Sequence, residues 1–275
     1  MLIEKGVHTI MTKKAIFFDL DDTLVNDRKS IQTAFDVTCG DLEQEYGISS
    51  QVIEAAVREA AREQYQRYSF YPVTLQLGIN PFEGLWGDFG DVHHWQLRQM
   101  GKDISDYQLQ TWTNGLKAAG INEGAAWAKE RFREVRRSSP FLYEETYSVL
   151  EQLKAAGLRL LLLTNGAPSL QLEKLRMLPE LPPYFEHILI SGNFGFGKPD
   201  SAIFHHALKL MDTAPEEAVM VGDNLSTDIL GATRVGMDSI LIDHGDGRIV
   251  EGAKPTHTVS SLQETLDVIQ KLTNN

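Results

Sequence analysis

Lys14-Ala15-Ile16-Phe17-Phe18-Asp19-Leu20-Asp21-Asp22-Thr23-Leu24 is the stretch on which the reading of this chain turns. Four apolar residues, Ala15 to Phe18, run unbroken into a cluster of carboxylates. A strand apolar on both faces belongs in a parallel sheet covered by helices on each side. Two more apolar runs end in the same manner. Leu158 to Leu163 leads into Thr164-Asn165-Gly166, and Val219-Met220-Val221 leads into Gly222-Asp223-Asn224-Leu225-Ser226-Thr227-Asp228. Open α/β sheets collect ligands at the carboxyl ends of their strands. Three strand ends are therefore expected to deliver acidic and hydroxyl groups to one edge. Lys198, in Gly197-Lys198-Pro199-Asp200, supplies a cation between the second and the third.

Gathered carboxylates repel, by roughly 4 kcal/mol per pair at 4 Å and an effective dielectric near 20. A cation or a shared proton has to offset this. Mg²⁺ suits the chemistry, because it takes oxygen ligands from one or two carboxylates and leaves room for water and phosphate. Asp19, Asp223 and Asp228 are ligands of that type. Zinc is not suited, since the chain has one cysteine and no paired-histidine spacing. A carboxylate also serves as a nucleophile, forming an aspartyl phosphate, while a second one works as general acid and base. Residues i and i+2 of a strand face one side, so an extended Leu20 would turn Asp19 and Asp21 into one space. Lys198 and a metal would hold the phosphoryl oxygens, with the Thr164 hydroxyl as a further donor.

In this ordered set the chain resembles the haloacid dehalogenase superfamily of hydrolases, and its phosphatase branch in particular. Asp19-Leu20-Asp21-Asp22-Thr23 is similar to the D-x-D-x-T motif of that family. Thr164 at a strand end, Lys198 before a proline, and Asp223 with Asp228 five residues on complete the pattern. The resemblance covers residues 13–26 and 141–260. It implies that Asp19 is the nucleophile and a metal ligand. Asp21 would be the general acid and base, with its carbonyl on the metal. Thr164 would bind the phosphoryl group, and Asn165 would help to place substrate. Lys198 would neutralise Asp19 and the phosphoryl group. Asp223 would ligate the metal, and Asp228 would support the metal or Lys198. Dehalogenase members lack an aspartate at the position of Asp21, because halide leaves without a proton. Asp21 thus points to phosphate esters, whose alkoxide needs one. The expected activity is Mg²⁺-dependent hydrolysis of small soluble phosphomonoesters through an aspartyl phosphate. A phosphomutase using the same intermediate and a non-catalytic binding protein on this fold are the alternatives. Asp22 stands where a mutase motif usually has glycine. Which ester is the substrate stays open among sugar phosphates, nucleoside monophosphates and other metabolite phosphates.

The 275 residues suffice for one large domain or two small ones, and 42% hydrophobic content is that of a globular protein. A formal charge of -12 argues against nucleic acid polymers and anionic membranes as partners. No apolar run approaches the ~18 residues of a membrane span. The lone Cys39 cannot form an internal disulfide, which fits a cytoplasmic location, and it is expected in a helical core. Met1 to Thr12 reads as a disordered lead-in with Met11 as a possible natural start. Oligomeric state has no signature in the sequence.

Strands and helices alternate after Pro140, as in a doubly wound parallel sheet of Rossmann-like type. Helices are expected at 144–156, 169–177, 201–211, 226–235 and 262–272, and strands at 15–19, 158–163, 187–190, 219–221, 239–242 and 258–259. Between the first strand and the rest lies a block with helical periodicity. Helices are expected there at 30–45, 51–68, 94–100, 106–116 and 122–137, interrupted by glycine and proline. The organisation is thus a catalytic core, residues 1–26 and 141–275, with an inserted α-helical cap domain, residues 27–140. Hinges are expected near Leu24 to Asp27 and Ser138 to Phe141, and closure of the cap is expected to gate the chemistry.

Other polar clusters have plainer readings. Asp22 is expected to shape the turn. Phe82 to Trp95, rich in glycine and aromatics, is expected to clasp the cap core, with a substrate-facing surface as the alternative. His93 and His94 belong to that stretch and, being adjacent, cannot both face one point. His205 and His206 are expected to be structural. Arg131, Arg133, Arg136 and Arg137 are expected on a solvated face.

Overall fold

The computed structural model describes residues 13–245, 247 and 249–274. The lead-in expected at Met1 to Thr12, and the start at Met11, lie outside them. Among the described residues six parallel strands form one sheet: β1 (Ala15–Phe18), β2 (Arg159–Thr164), β3 (His187–Ile190), β4 (Ala218–Gly222), β5 (Asp238–Ile242) and β6 (His257–Val259). Their order is β3-β2-β1-β4-β5-β6. β1 is central, with Phe18 level with Leu162 on one side and Val221 on the other. The chain reverses its winding direction across β1, so the ends of β1, β2 and β4 open on one crevice.

Alternation along β1 sets the two faces of the sheet. Ile16 and Phe18 join Val149, Leu150, Leu153, Leu266 and Ile269 in one apolar cluster. Ala15 and Phe17 join Ile203, Phe204, Ala207 and Ala232 in another. Helices on both faces supply these residues. The helical block is inserted after β1 and the turn that follows it.

That block runs through α1 (Asp27–Tyr46), α2 (Ser50–Tyr65), α3 (Tyr71–Leu77), α4 (Pro81–Gly84), α5 (Trp95–Ala118) and α6 (Ala125–Ser138). The core helices follow as α7 (Thr146–Ala155), α8 (Pro168–Met177), α9 (Ser191–Phe194), α10 (Ser201–Leu210), α11 (Leu230–Val235) and α12 (Leu262–Asn274). α1 starts where Asn26 accepts the Lys29 N–H at 3.0 Å, and it stops at Gly47 in the left-handed region. Its buried stripe of Ala34, Phe35, Thr38, Cys39 and Leu42 faces Val57, Trp112 and Phe132 in a separate apolar cluster. Cys39 is buried there, and its thiol is pushed up to about 12, mainly by burial. That cluster reaches Ala167 and Leu170 at the start of α8, so the block rests on the core at that helix.

Two expectations for the block are corrected. The helices expected at 94–100 and 106–116 are a single helix, α5. Gly101 does not break it. A Cβ at Gly101 would sit 2.4 Å from the Phe89 carbonyl oxygen, so glycine there allows a neighbouring backbone to come close. α3 and α4 were absent from the sequence reading, being short and bounded by Pro72, Gly78 and Pro81. In the core, the helix expected at 226–235 opens with a π-type turn, Leu225–Ile229, before α11. β1 ends at Phe18, one residue earlier than expected.

The two passages between sheet and block run side by side. Asn26 N–H donates to Phe141 O at 2.8 Å and Tyr143 N–H to Leu24 O at 3.2 Å, with Val25 bridged antiparallel to Leu142.

Candidate active site

A cavity of about 550 Å³ lies over the ends of β1, β2 and β4. Asp19, Asp21, Thr164, Asn165, Lys198 and Asp223 line it from the core, and Arg62, Tyr71, Thr74, Asn80 and Glu83 from the block. Every candidate named from the sequence lines it except Asp228, which lies directly behind.

Lys198 is the centre of charge. Its Nζ pairs with Asp19 Oδ1 at 2.6 Å and Asp228 Oδ1 at 2.7 Å, and donates to Leu163 O at 2.7 Å. Burial opposes its charge, yet the two carboxylates raise its pKa overall. Asp19 is 8% exposed, and burial pushes its carboxyl up to about 6 against the pull of Lys198. Asp223 is pushed up to about 8, by burial first and then by Asp19, Asp228 and Asp22, with Arg28 opposing. Asp19, Asp223 and Asp228 each offer an oxygen within 4.8 Å of the others. Three oxygen donors so crowded, with one of them driven to hold its proton, match a hard divalent cation. Asp228 is the least available of the three. Oδ1 is engaged by Lys198, and Oδ2 accepts the Asn224 N–H at 3.1 Å. A supporting role suits it better than direct ligation.

Asp21 lines the same cavity but turns to other partners. A tight turn follows Leu20, whose carbonyl accepts from Thr23, Leu24 and Val25. Asp21 Oδ2 accepts from Gln171 Nε2 at 3.0 Å and from Lys174 Nζ at 2.8 Å. Burial pushes its carboxyl up to about 6, with Lys174 opposing. Asp22 shapes the turn, as expected. Its φ is 59°, and Oδ1 accepts the Arg28 N–H at 2.9 Å.

Thr164 is buried at the end of β2, where its hydroxyl accepts from Gln171 Nε2 at 2.6 Å. Asn165 spends its amide on the lysine loop. Oδ1 accepts the Lys198 N–H at 2.8 Å, and Nδ2 donates to Lys198 O at 2.9 Å. Asn165 thus holds the Lys198 loop while also lining the cavity.

The stretch from Phe82 to Trp95 is a clasp. Trp86 and Phe89 are fully buried, and the Arg136 guanidinium stacks 4.8 Å from the Trp86 ring. Only Phe82's neighbour Glu83 reaches the cavity from it. His94 caps α5, accepting the Leu97 N–H at 3.4 Å, and His206 stacks on Phe194 at 5.0 Å. Of the arginine run, Arg131, Arg133 and Arg137 pair with surface acids, as expected. Arg136 departs from the expectation. It is 2% exposed and pairs with buried Asp27 at 2.7 Å.

The sequence reading missed Arg28, Gln171, Lys174 and Glu83. Arg28 Nη2 reaches Asp223 Oδ2 at 3.2 Å. Gln171 and Lys174 did leave a signal. On α8 they share the buried stripe with Leu170 and Leu175, at helical spacing. Two polar residues on an apolar stripe, in the helix that follows Thr164, need polar partners.

Comparison with known proteins agrees with this geometry. The family model for haloacid dehalogenase-like hydrolases matches residues 13–236. A phosphoserine phosphatase of Thermus thermophilus is 34% identical over 252 residues, covering 91% of this chain and 97% of that protein. A glyceraldehyde 3-phosphate phosphatase of Methanocaldococcus jannaschii is 28% identical over 261 residues, covering 94% and 98%. Among solved structures, the magnesium-bound HAD hydrolase YfnB of Bacillus subtilis superimposes with a TM-score of 0.64 at 19% identity, covering 94% of this chain and 99% of that one. The chain belongs to the haloacid dehalogenase-like hydrolases, in their phosphatase branch. Among the described residues no helix is long and apolar enough to cross a membrane.

Proposed function

We propose that the chain hydrolyses a small phosphomonoester through a phosphorylated Asp19, with Mg²⁺ as cofactor. The observation that carries this reading is the pairing of buried Asp19 with Lys198 at 2.6 Å, in a cavity that Asp21 also lines. Asp19 attacks phosphorus, and Lys198 holds the negative oxygens as charge shifts toward the leaving group. Asp21 gives its proton to the departing alkoxide. The same carboxylate then takes a proton from the water that cleaves the acyl phosphate, releasing inorganic phosphate. Asp19, the Asp21 carbonyl and Asp223 would hold Mg²⁺, with Asp228 behind them. The ion supplies charge neutralisation for phosphate beside a carboxylate nucleophile.

A raised Asp21 pKa of about 6 fits a group that alternates between acid and base. A cavity of about 550 Å³, closed on one side by α2, α3 and α4, fits an ester of a few carbons. The named activities of the two relatives, on phosphoserine and on glyceraldehyde 3-phosphate, fall in that size class. The test is phosphate release from a panel of small phosphomonoesters, with Mg²⁺ and with chelator, by the parent and Asp19→Asn. Metal-dependent release abolished in the folded variant is the expected result. Substantial turnover by Asp19→Asn refutes the nucleophile.

A further inference from the structure

Lys174 has no part in the chemistry just described, yet it is 2% exposed and faces three carboxylates. A charge so buried is tolerated only with compensating partners. Its Nζ lies 2.8 Å from Asp21 Oδ2, 3.0 Å from Glu83 Oε1 and 3.9 Å from Asp27 Oδ1. These partners come from three places: the turn after β1, α4 of the helical block, and the first residue of α1 where the block begins. Glu83 is itself fixed, since its Oε2 accepts the Asn80 N–H at 2.9 Å. Asp27 is fixed by Arg136 at 2.7 Å. Lys174 on α8 is thus the point at which core, passage and block meet in one buried ionic knot.

The knot treats the two oxygens of Asp21 differently. Oδ2 accepts two hydrogen bonds, from Lys174 and Gln171. Oδ1 is buried and has no hydrogen-bond partner, whereas Oδ2 is the oxygen that keeps access to the cavity. A carboxyl group that must deliver a proton in one direction needs its orientation fixed, and the two donors at Oδ2 supply that.

We propose that Lys174 is a positioning residue for Asp21. Together with Gln171 it fixes the carboxyl with Oδ2 toward the cavity, and it does so with the help of Glu83, which the block contributes. Seating of the block therefore completes the proton donor. This rests on the reading of Asp21 as general acid.

The test is the dependence of kcat and kcat/KM on leaving-group acidity across substituted phenyl phosphates, from 4-nitrophenyl to unsubstituted phenyl phosphate. A good leaving group departs with little protonation, so a lost proton donor penalises the poor one selectively. In Lys174→Met, kcat for phenyl phosphate should fall by about 10² or more, while that for 4-nitrophenyl phosphate stays within about tenfold. Glu83→Gln, which keeps a hydrogen-bonding group at that place, should show the same selectivity to a lesser degree. Should Lys174→Met not fold, the Lys174→Met, Glu83→Gln double variant removes one stranded carboxylate and is measured in its stead. Asp21→Asn is measured alongside. A uniform loss across the series in the Lys174 variant, with a selective loss in Asp21→Asn, overturns the positioning role alone. No selective loss in Asp21→Asn overturns the reading of Asp21 as the acid, and the proposal with it.

Discussion

Replacing Asp223 by asparagine is expected to stabilise the metal-free protein and to remove its response to Mg²⁺. Asp223 has a carboxyl oxygen within 4.8 Å of oxygens on Asp19 and Asp228. At that distance and an effective dielectric near 20, each such neighbour costs about 3.5 kcal/mol when both are ionised. Burial and these neighbours carry the Asp223 carboxyl from 3.8 to about 8. At 1.36 kcal/mol per tenfold change in proton affinity, that interval corresponds to about 6 kcal/mol. The pull of Arg28 is already contained in that interval; local relaxation and water entry offset a further part, leaving about 2–4 kcal/mol. The sign follows from proton counts. Unfolded, the group ionises near 3.8; folded, it keeps its proton until about 8. Between those values the folded state binds more protons, so stability falls as pH rises and levels off above about 8. Asparagine has no such loss. Thermal unfolding in chelator should place the variant above the parent by about 5–10 °C at pH 8, and level with it near pH 4. Adding Mg²⁺ should raise the parent's Tm, since a ligand of the folded state stabilises it, and leave the variant unmoved. A variant that melts below the parent at pH 8 in chelator, or that gains as much from Mg²⁺, refutes the reasoning.

Two further predictions test parts that do not touch the substrate. A Cβ at Gly222 would lie 2.3 Å from Asp228 Oδ2. Gly222→Ala should therefore displace Asp228 and with it Lys198, and lower kcat by about 10² or more while far-ultraviolet circular dichroism is unchanged. Full activity in that variant would show that Lys198 does not depend on Asp228. Arg136→Met leaves Asp27 buried beside Lys174 without its guanidinium and takes the cation from the face of Trp86. A loss of about 3–5 kcal/mol in denaturant unfolding is expected, and a loss below about 1 kcal/mol would contradict the pairing.

The sheet was legible because its strands are apolar on both faces and end abruptly in polar residues. Asp19, Thr164 and Asp223 each follow directly from a buried run, so their convergence could be read without coordinates. Lys198 lies on a loop, and its burial became visible only once Asn165 was seen to grip it from both sides. The block was legible as helical but not as a wall. α3 and α4, of 7 and 4 residues, are too short for a periodic signal, and they bring Thr74, Asn80 and Glu83 to the cavity. The aromatic stretch from Trp86 to Trp95 has a composition that reflects packing of Trp86 and Phe89. Lys174 shares a helical stripe with Leu170, Gln171 and Leu175, a signal that does not by itself distinguish a buried lysine from a solvated one. Only the three-dimensional meeting of α8 with α4 buries it.

The paired passages at Leu24–Asn26 and Phe141–Tyr143 carry a consequence for how such a molecule is built. The helical block leaves and rejoins the sheet at neighbouring residues already joined by backbone hydrogen bonds. From the standpoint of the sheet, more than a hundred residues amount to a hairpin loop. The entropic penalty of closing a loop grows only with the logarithm of its length. A module seated on so narrow a stem is free to lengthen, shrink or be exchanged without altering strand register below it.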